Sequence, residues 1–65
     1  MNKVNQFLGE KDGQKLCAEI YKEEFGYSIK YFINGTLQTT ESFPNNSIYY
    51  VEDAAENWLL GIKTL

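Results

Sequence analysis

Turn-forming residues interrupt this chain so often that everything before residue 44 reads as short β-strands. Gly9, Asp12-Gly13, Gly26, Asn34-Gly35 and Pro44-Asn45-Asn46 separate runs of apolar and β-branched residues. Each favours backbone conformations that the interior of a strand or helix does not tolerate. Within the pieces the apolar residues alternate. Leu16, Ala18 and Ile20 share one side of residues 16–23, and Tyr27, Ile29 and Tyr31 share one side of residues 27–33, which is the period of a half-buried strand. A tight turn around Glu24-Phe25 would set Ile20 opposite Ile29, Ala18 opposite Tyr31, and Glu19 opposite Lys30 on the other face. Apolar then meets apolar on one side, and opposite charges meet on the other.

The next turn contains Asn34-Gly35, a strong hairpin signal. A two-residue loop of the I′ type would set Phe32 across from Leu37. A three-residue loop, Ile33-Asn34-Gly35 with a bulge, would set Tyr31 across from Leu37 and leave Tyr27 and Ile29 sharing a face with Phe43. The second is the expectation, because it keeps one apolar face continuous.

After Pro44 the period lengthens. Ile48, Val51, Ala55, Trp58, Leu59 and Ile62 fall on one helical stripe, with Glu52, Asp53, Glu56 and Asn57 opposite, so the spacing predicts an amphipathic helix. Ser47 suits its N-cap and Gly61 the left-handed position after its end, with Lys63 following the negative end of the helix dipole. The run Ile48-Tyr49-Tyr50-Val51 is β-branched and aromatic and is also compatible with a strand. Residues 4–8 fit either an edge strand turning at Asp12-Gly13 or a loose helical turn. The expected fold is α+β: an antiparallel β-meander of three strands, with a fourth if residues 4–8 or 48–51 pair, packed against one C-terminal α-helix in a single domain spanning residues 1–65.

The chain has 65 residues, one cysteine and no histidine. Neither an intrachain disulfide nor the usual zinc constellation can staple so small a fold, so its core or a second copy of the chain must stabilise it. Nine acidic residues face six lysines (Lys3, Lys11, Lys15, Lys22, Lys30, Lys63), with no arginine and a net charge of −3. Scattered lysines do not make the footprint of a nucleic-acid binder, and −3 is too small for an acidic mimic of DNA. The start, Met1-Asn2-Lys3-Val4-Asn5-Gln6, has no apolar core of a signal peptide, and no stretch approaches the ~20 apolar residues that span a bilayer. The reading is a cytoplasmic protein without membrane partners.

No residue pattern carries catalysis, so the chain is read as not an enzyme. Cys17 lacks the neighbouring base that would activate it and reads as a packed thiol. Glu23-Glu24 and Glu52-Asp53-Glu56 fall in a turn and on the polar side of a helix, where carboxylates are solvated and do not converge. Asn34-Gly35-Thr36 and Asn45-Asn46-Ser47 match the glycosylation pattern but are explained as a hairpin turn and a helix start. No phosphate-binding loop, dinucleotide fingerprint or metal spacing occurs, and no cofactor is expected.

Ten aromatic residues are more than one sheet face and one helix stripe can hide. Tyr21, Phe32 and Tyr49 or Tyr50 are left over. Base stacking is the nucleic-acid reading of such a surface, but it requires interleaved cations, and here Lys30 stands against Glu19 and Glu23. A protein interface is the better functional reading, since Tyr and Phe are enriched at interface cores. The plainest alternative is that the N-terminal residues cover these rings. The candidate interaction surface is therefore Tyr21, Phe32, Lys30, Glu19 and Tyr49. A second copy of the chain is the expected partner, as a homodimer, and a host protein is a further one.

The segment from Tyr50 to Gly61, Tyr-Val-Glu-Asp-Ala-Ala-Glu-Asn-Trp-Leu-Leu-Gly, follows Phe43-Pro44 and resembles the C-terminal signature of short uncharacterised proteins of tailed phages of marine cyanobacteria. The resemblance extends towards Phe7-Leu8-Gly9-Glu10. It implies an accessory role in a viral setting and supplies no catalytic residues to carry over.

Overall fold

The alternating segments pair with their sequence neighbours, and the C-terminal helix closes over one side of the resulting sheet. In the computed structural model, which describes residues 2–65, β1 (Asn2–Lys11), β2 (Gln14–Lys22), β3 (Tyr27–Ile33) and β4 (Thr36–Phe43) form one antiparallel sheet in the order β1-β2-β3-β4, and α1 (Ile48–Leu59) follows. The fold is α+β, and the fourth strand is the N-terminal segment.

β1 is a strand because a two-residue loop folds it back onto β2. Asp12 and Gly13 both have positive φ (54° and 80°), and Lys11 pairs with Gln14 across them. The ladder shifts between Lys3 and Asn5, so Val4 is an extra residue. Beyond that bulge, Phe7 packs against the core. β2 and β3 pair as the sequence predicts: Ile20 with Ile29, Ala18 with Tyr31, Glu19 with Lys30. Their connection occupies Glu23 to Gly26, closed by Glu23 N–H donating to the Gly26 carbonyl at 3.1 Å.

The β3–β4 hairpin corrects the expected three-residue loop. Asn34 and Gly35 alone form the turn, with φ of 51° and 82°, and Phe32 pairs with Leu37. This is the loop whose twist matches the strands it joins. A bulge does occur, but along the strand, where Tyr31 pairs with Thr39 and Gln38 is left over. That displacement restores the parity, and Phe43 lies opposite Tyr27. Both Leu37 and the predicted continuous face are thereby accommodated, with Leu37 on the opposite face from the one expected.

Ile48-Tyr49-Tyr50-Val51 is helical. The Ser47 hydroxyl accepts the Tyr50 N–H at 3.3 Å, which satisfies one of the donors a helix start leaves free and offsets the run's weak preference for strand. At the other end, Ile62 N–H donates to the Asn57 carbonyl (2.8 Å) and Gly61 N–H to the Trp58 carbonyl (3.1 Å), with Gly61 at φ 81°. This paired termination carries the chain off the helix axis. Ile62 therefore leaves the predicted stripe and is 71% exposed.

The core lies between α1 and the inner sheet face. Ala18, Ile20, Ile29, Tyr31, Val51 and Ala55 are fully buried, and Leu16, Phe43 and Trp58 nearly so. The Trp58 and Tyr31 rings meet edge to face with centroids 4.9 Å apart. The buried Tyr31 hydroxyl donates to Glu41 Oε1 at 2.8 Å, and Glu41 is held in turn by Lys63 at 3.4 Å. Among the described residues, no helix is long and apolar enough to cross a membrane.

Candidate interaction surface

A sheet has two faces, and α1 covers only one. The alternation that sends Leu16, Ala18 and Ile20 inward sends Cys17, Glu19 and Tyr21 to the other side, and the register lines them up with their neighbours. One row crosses all four strands: Leu8 pairs with Cys17, Cys17 with Phe32, and Phe32 with Leu37. It is apolar throughout, with Leu8 71% and Leu37 50% exposed at its ends and Cys17 and Phe32 half-buried between them. Burial and the nearby Glu19 carboxylate push the Cys17 thiol above its ordinary pKa, outweighing the opposing pull of Lys3. A thiol so placed stays protonated and acts as apolar filler.

The next rows are polar and tied together. Glu19 pairs with Lys30 in the ladder, yet each takes a different partner. Glu19 Oε1 accepts the Tyr21 hydroxyl at 2.6 Å, and its Oε2 lies 3.5 Å from Lys3 Nζ, which also donates to Gln6 Oε1 at 2.8 Å. The Lys30 ammonium sits 4.8 Å from the centroid of the Tyr21 ring. The bond to Glu19 and partial burial raise the Tyr21 pKa. Tyr21, Phe32, Lys30 and Glu19 thus share one face, as the sequence predicts, and its ring and charges form one bonded patch beside the apolar row. The lysines of this face, Lys3, Lys15 and Lys30, alternate with Glu10 and Glu19 along the strands, so a phosphate backbone crossing it would meet carboxylates as well as cations.

Tyr49 does not belong to this surface. It is 75% exposed on α1, which packs on the opposite side of the sheet. Sequence reasoning also missed three exposed apolar residues. Leu8 was hidden by the undecided state of β1 and Leu37 by the longer loop, although the preference of Asn-Gly for a two-residue turn pointed to Leu37. Phe25, 73% exposed in the β2–β3 connection, reads in the sequence only as a turn residue. Among the described residues no group of three or more metal-ligating side chains converges. Comparison with protein-family models, curated proteins and solved structures finds no match to this chain.

Proposed function

We propose that this chain is a non-enzymatic accessory protein, of the phage type its C-terminal segment resembles, that acts by binding protein through the helix-free sheet face, with a second copy as its occupant. The observation that carries this reading is the apolar row Leu8-Cys17-Phe32-Leu37, which runs from one sheet edge to the other. A row of this kind is self-complementary about a two-fold axis, because the same residues meet on both copies. The bonded patch of Glu19, Tyr21, Lys3 and Lys30 has its charges internally matched, so it fits the polar rim of a contact. Strands about 4.8 Å apart and about 3.3 Å per residue give a four-stranded face on the order of 400 Å² in projection. That lies at the small end for specific interfaces, the class of weak and reversible contacts.

Light scattering coupled to size exclusion tests it. At tens of micromolar the chain should run at twice its own mass, and Phe32→Glu should return it to a folded monomer by placing a charge in the row. A wild-type chain that stays monomeric at millimolar concentration refutes the self-association. So does a Phe32→Glu variant that is folded and still dimeric.

A further inference from the structure

The face that α1 leaves bare is ordered along its strands as well as across them. On β2 its side chains run Cys17, Glu19, Tyr21, and on β3 they run Phe32, Lys30, Ser28, each paired with the one beside it. All three rows set unlike beside unlike. A small thiol stands next to a ring, and a carboxylate next to an ammonium. In the third row the Tyr21 ring stands next to Ser28, which is only 4% exposed and whose hydroxyl donates to Glu23 Oε2 at 2.6 Å. Lys30 rests on the Tyr21 ring and, among the described residues, is in no ion pair.

A second copy can meet this face about a two-fold axis lying between the two sheets, and the axis has two natural directions. With the axis along the apolar row, each strand lies over its own copy. Cys17 then faces Cys17 and Phe32 faces Phe32, so small meets small and large meets large. Lys15 gains Glu19, but Lys30 gains only Asn34, and Tyr21 runs out over the Asp12-Gly13 loop. Moving this axis one row along sets Glu19 over Glu19 and Lys30 over Lys30.

With the axis along the strands, between β2 and β3, each copy lays its β2 over the other's β3. Cys17 faces Phe32, Glu19 faces Lys30 and Tyr21 faces Ser28, each of them twice, while Leu8 faces Leu37 at the two sides. Large side chains then enter the space above small ones, which is how interface cores reach the density of protein interiors. Lys30 gains a carboxylate, and the covered Ser28 hydroxyl keeps its bond to Glu23. Sheets packed face to face turn by about 30°, which displaces the corners of the face most and the two central strands least. This axis also uses the whole length of all four strands, and a face this small has no area to spare.

We propose that two copies pair about the axis along the strands, β2 over β3, so that Glu19 and Lys30 form two symmetry-related ion pairs across the contact and each Tyr21 seats over the recessed Ser28. The arrangement rests on the sheet-face contact proposed above. It makes the charge pair, and not the apolar row alone, the element that selects a second copy as partner.

Two experiments test it. Isotope-filtered nuclear magnetic resonance of an equal mixture of labelled and unlabelled wild-type chains reports only contacts between copies. The Leu8 methyls should meet the Leu37 methyls, and the Tyr21 ring should meet Ser28. Contacts from Leu8 to Leu8, with none from Leu8 to Leu37, overturn the proposal. The second experiment exchanges charges and is read by light scattering. Glu19→Lys sets lysine over lysine at both ion pairs, and Lys30→Glu sets carboxylate over carboxylate, so each variant alone should dimerise about tenfold more weakly than wild type. Mixed in equal amounts, the two restore opposite charges at both places and should form a mixed dimer at close to the wild-type concentration. Circular dichroism establishes that each variant is folded. A folded Lys30→Glu variant that dimerises as wild type does overturns the proposal, and so does a mixture of folded variants with no gain over either alone. A wild-type chain that is monomeric at millimolar concentration defeats the sheet-face reading and this arrangement with it, whereas a wild-type dimer with the other contacts defeats the arrangement alone.

Discussion

At the scale of single residues, Trp58 is the largest of the three α1 side chains buried against the sheet, with Val51 and Ala55, and it meets Tyr31 edge-on. Trp58→Ala removes that area and leaves a cavity, at a cost of about 3–5 kcal/mol. A domain of this size has about 5 kcal/mol to lose. The variant should therefore be largely unfolded at 25 °C by far-ultraviolet circular dichroism, and a cooperative melt near wild type would deny Trp58 this role. Tyr31 adds a pH dependence. Burial, and then its bond to Glu41, push its phenol well above the ordinary tyrosine pKa. The folded state then holds a proton that the unfolded chain releases near pH 10, so the stabilisation is fully present below that pH and is lost as pH rises above it. Denaturant melts from pH 8 to 11 should show a flat region followed by a decline. Tyr31→Phe should make the decline shallower, leaving the part that the raised Cys17 and Tyr21 contribute, at a cost of about 1 kcal/mol at neutral pH.

Among the elements, the loops separate backbone strain from collision. Gly13 and Gly26 both have positive φ (80° and 74°), but a Cβ at Gly13 meets nothing within 4 Å, whereas one at Gly26 would lie 2.0 Å from the Phe43 carbonyl oxygen. Gly13→Ala should cost about 1 kcal/mol, the price of the conformation alone. Gly26→Ala should cost several-fold more, because the end of β4 has to move, and equal midpoints in urea would contradict the tight packing of that loop. The β2–β3 hairpin was legible in the sequence because two independent patterns, apolar pairs and a charge pair, agree on one register. The bulge in β4 was not. Thr36, Gln38, Thr39 and Thr40 are polar and exposed, so no alternation marks which residue is extra. β1 was obscured for a related reason: Phe7 and Leu8 are adjacent and face opposite sides of the sheet, and the bulge at Val4 breaks the alternation ahead of them. The helix start was readable through Ser47 despite the strand-like residues after it, since a cap outweighs a weak intrinsic preference. Of the interaction surface, the register alone placed Tyr21, Glu19, Lys30 and Phe32 together, while the ends of the apolar row depended on the two segments the sequence left open.

For the molecule as a whole, every strand is bonded to its neighbour in sequence, and only α1 reaches far back along the chain. The Asn5 amide donates to Glu52 across 47 positions of sequence at 2.8 Å, and the helix packs on β1, β2 and β3. This order of contacts has a consequence during synthesis. Chains are made from the amino terminus at about 5–20 residues per second, and local hairpins close in microseconds. The four strands can pair before α1 has docked, and until it docks Ile20, Ile29 and Tyr31 form a bare apolar surface. A chaperone that recognises apolar segments should thus crosslink to arrested nascent chains in which an added C-terminal linker has carried residues 2–46 but not α1 out of the ribosome, and lose its hold once a longer linker lets α1 emerge to cover the surface.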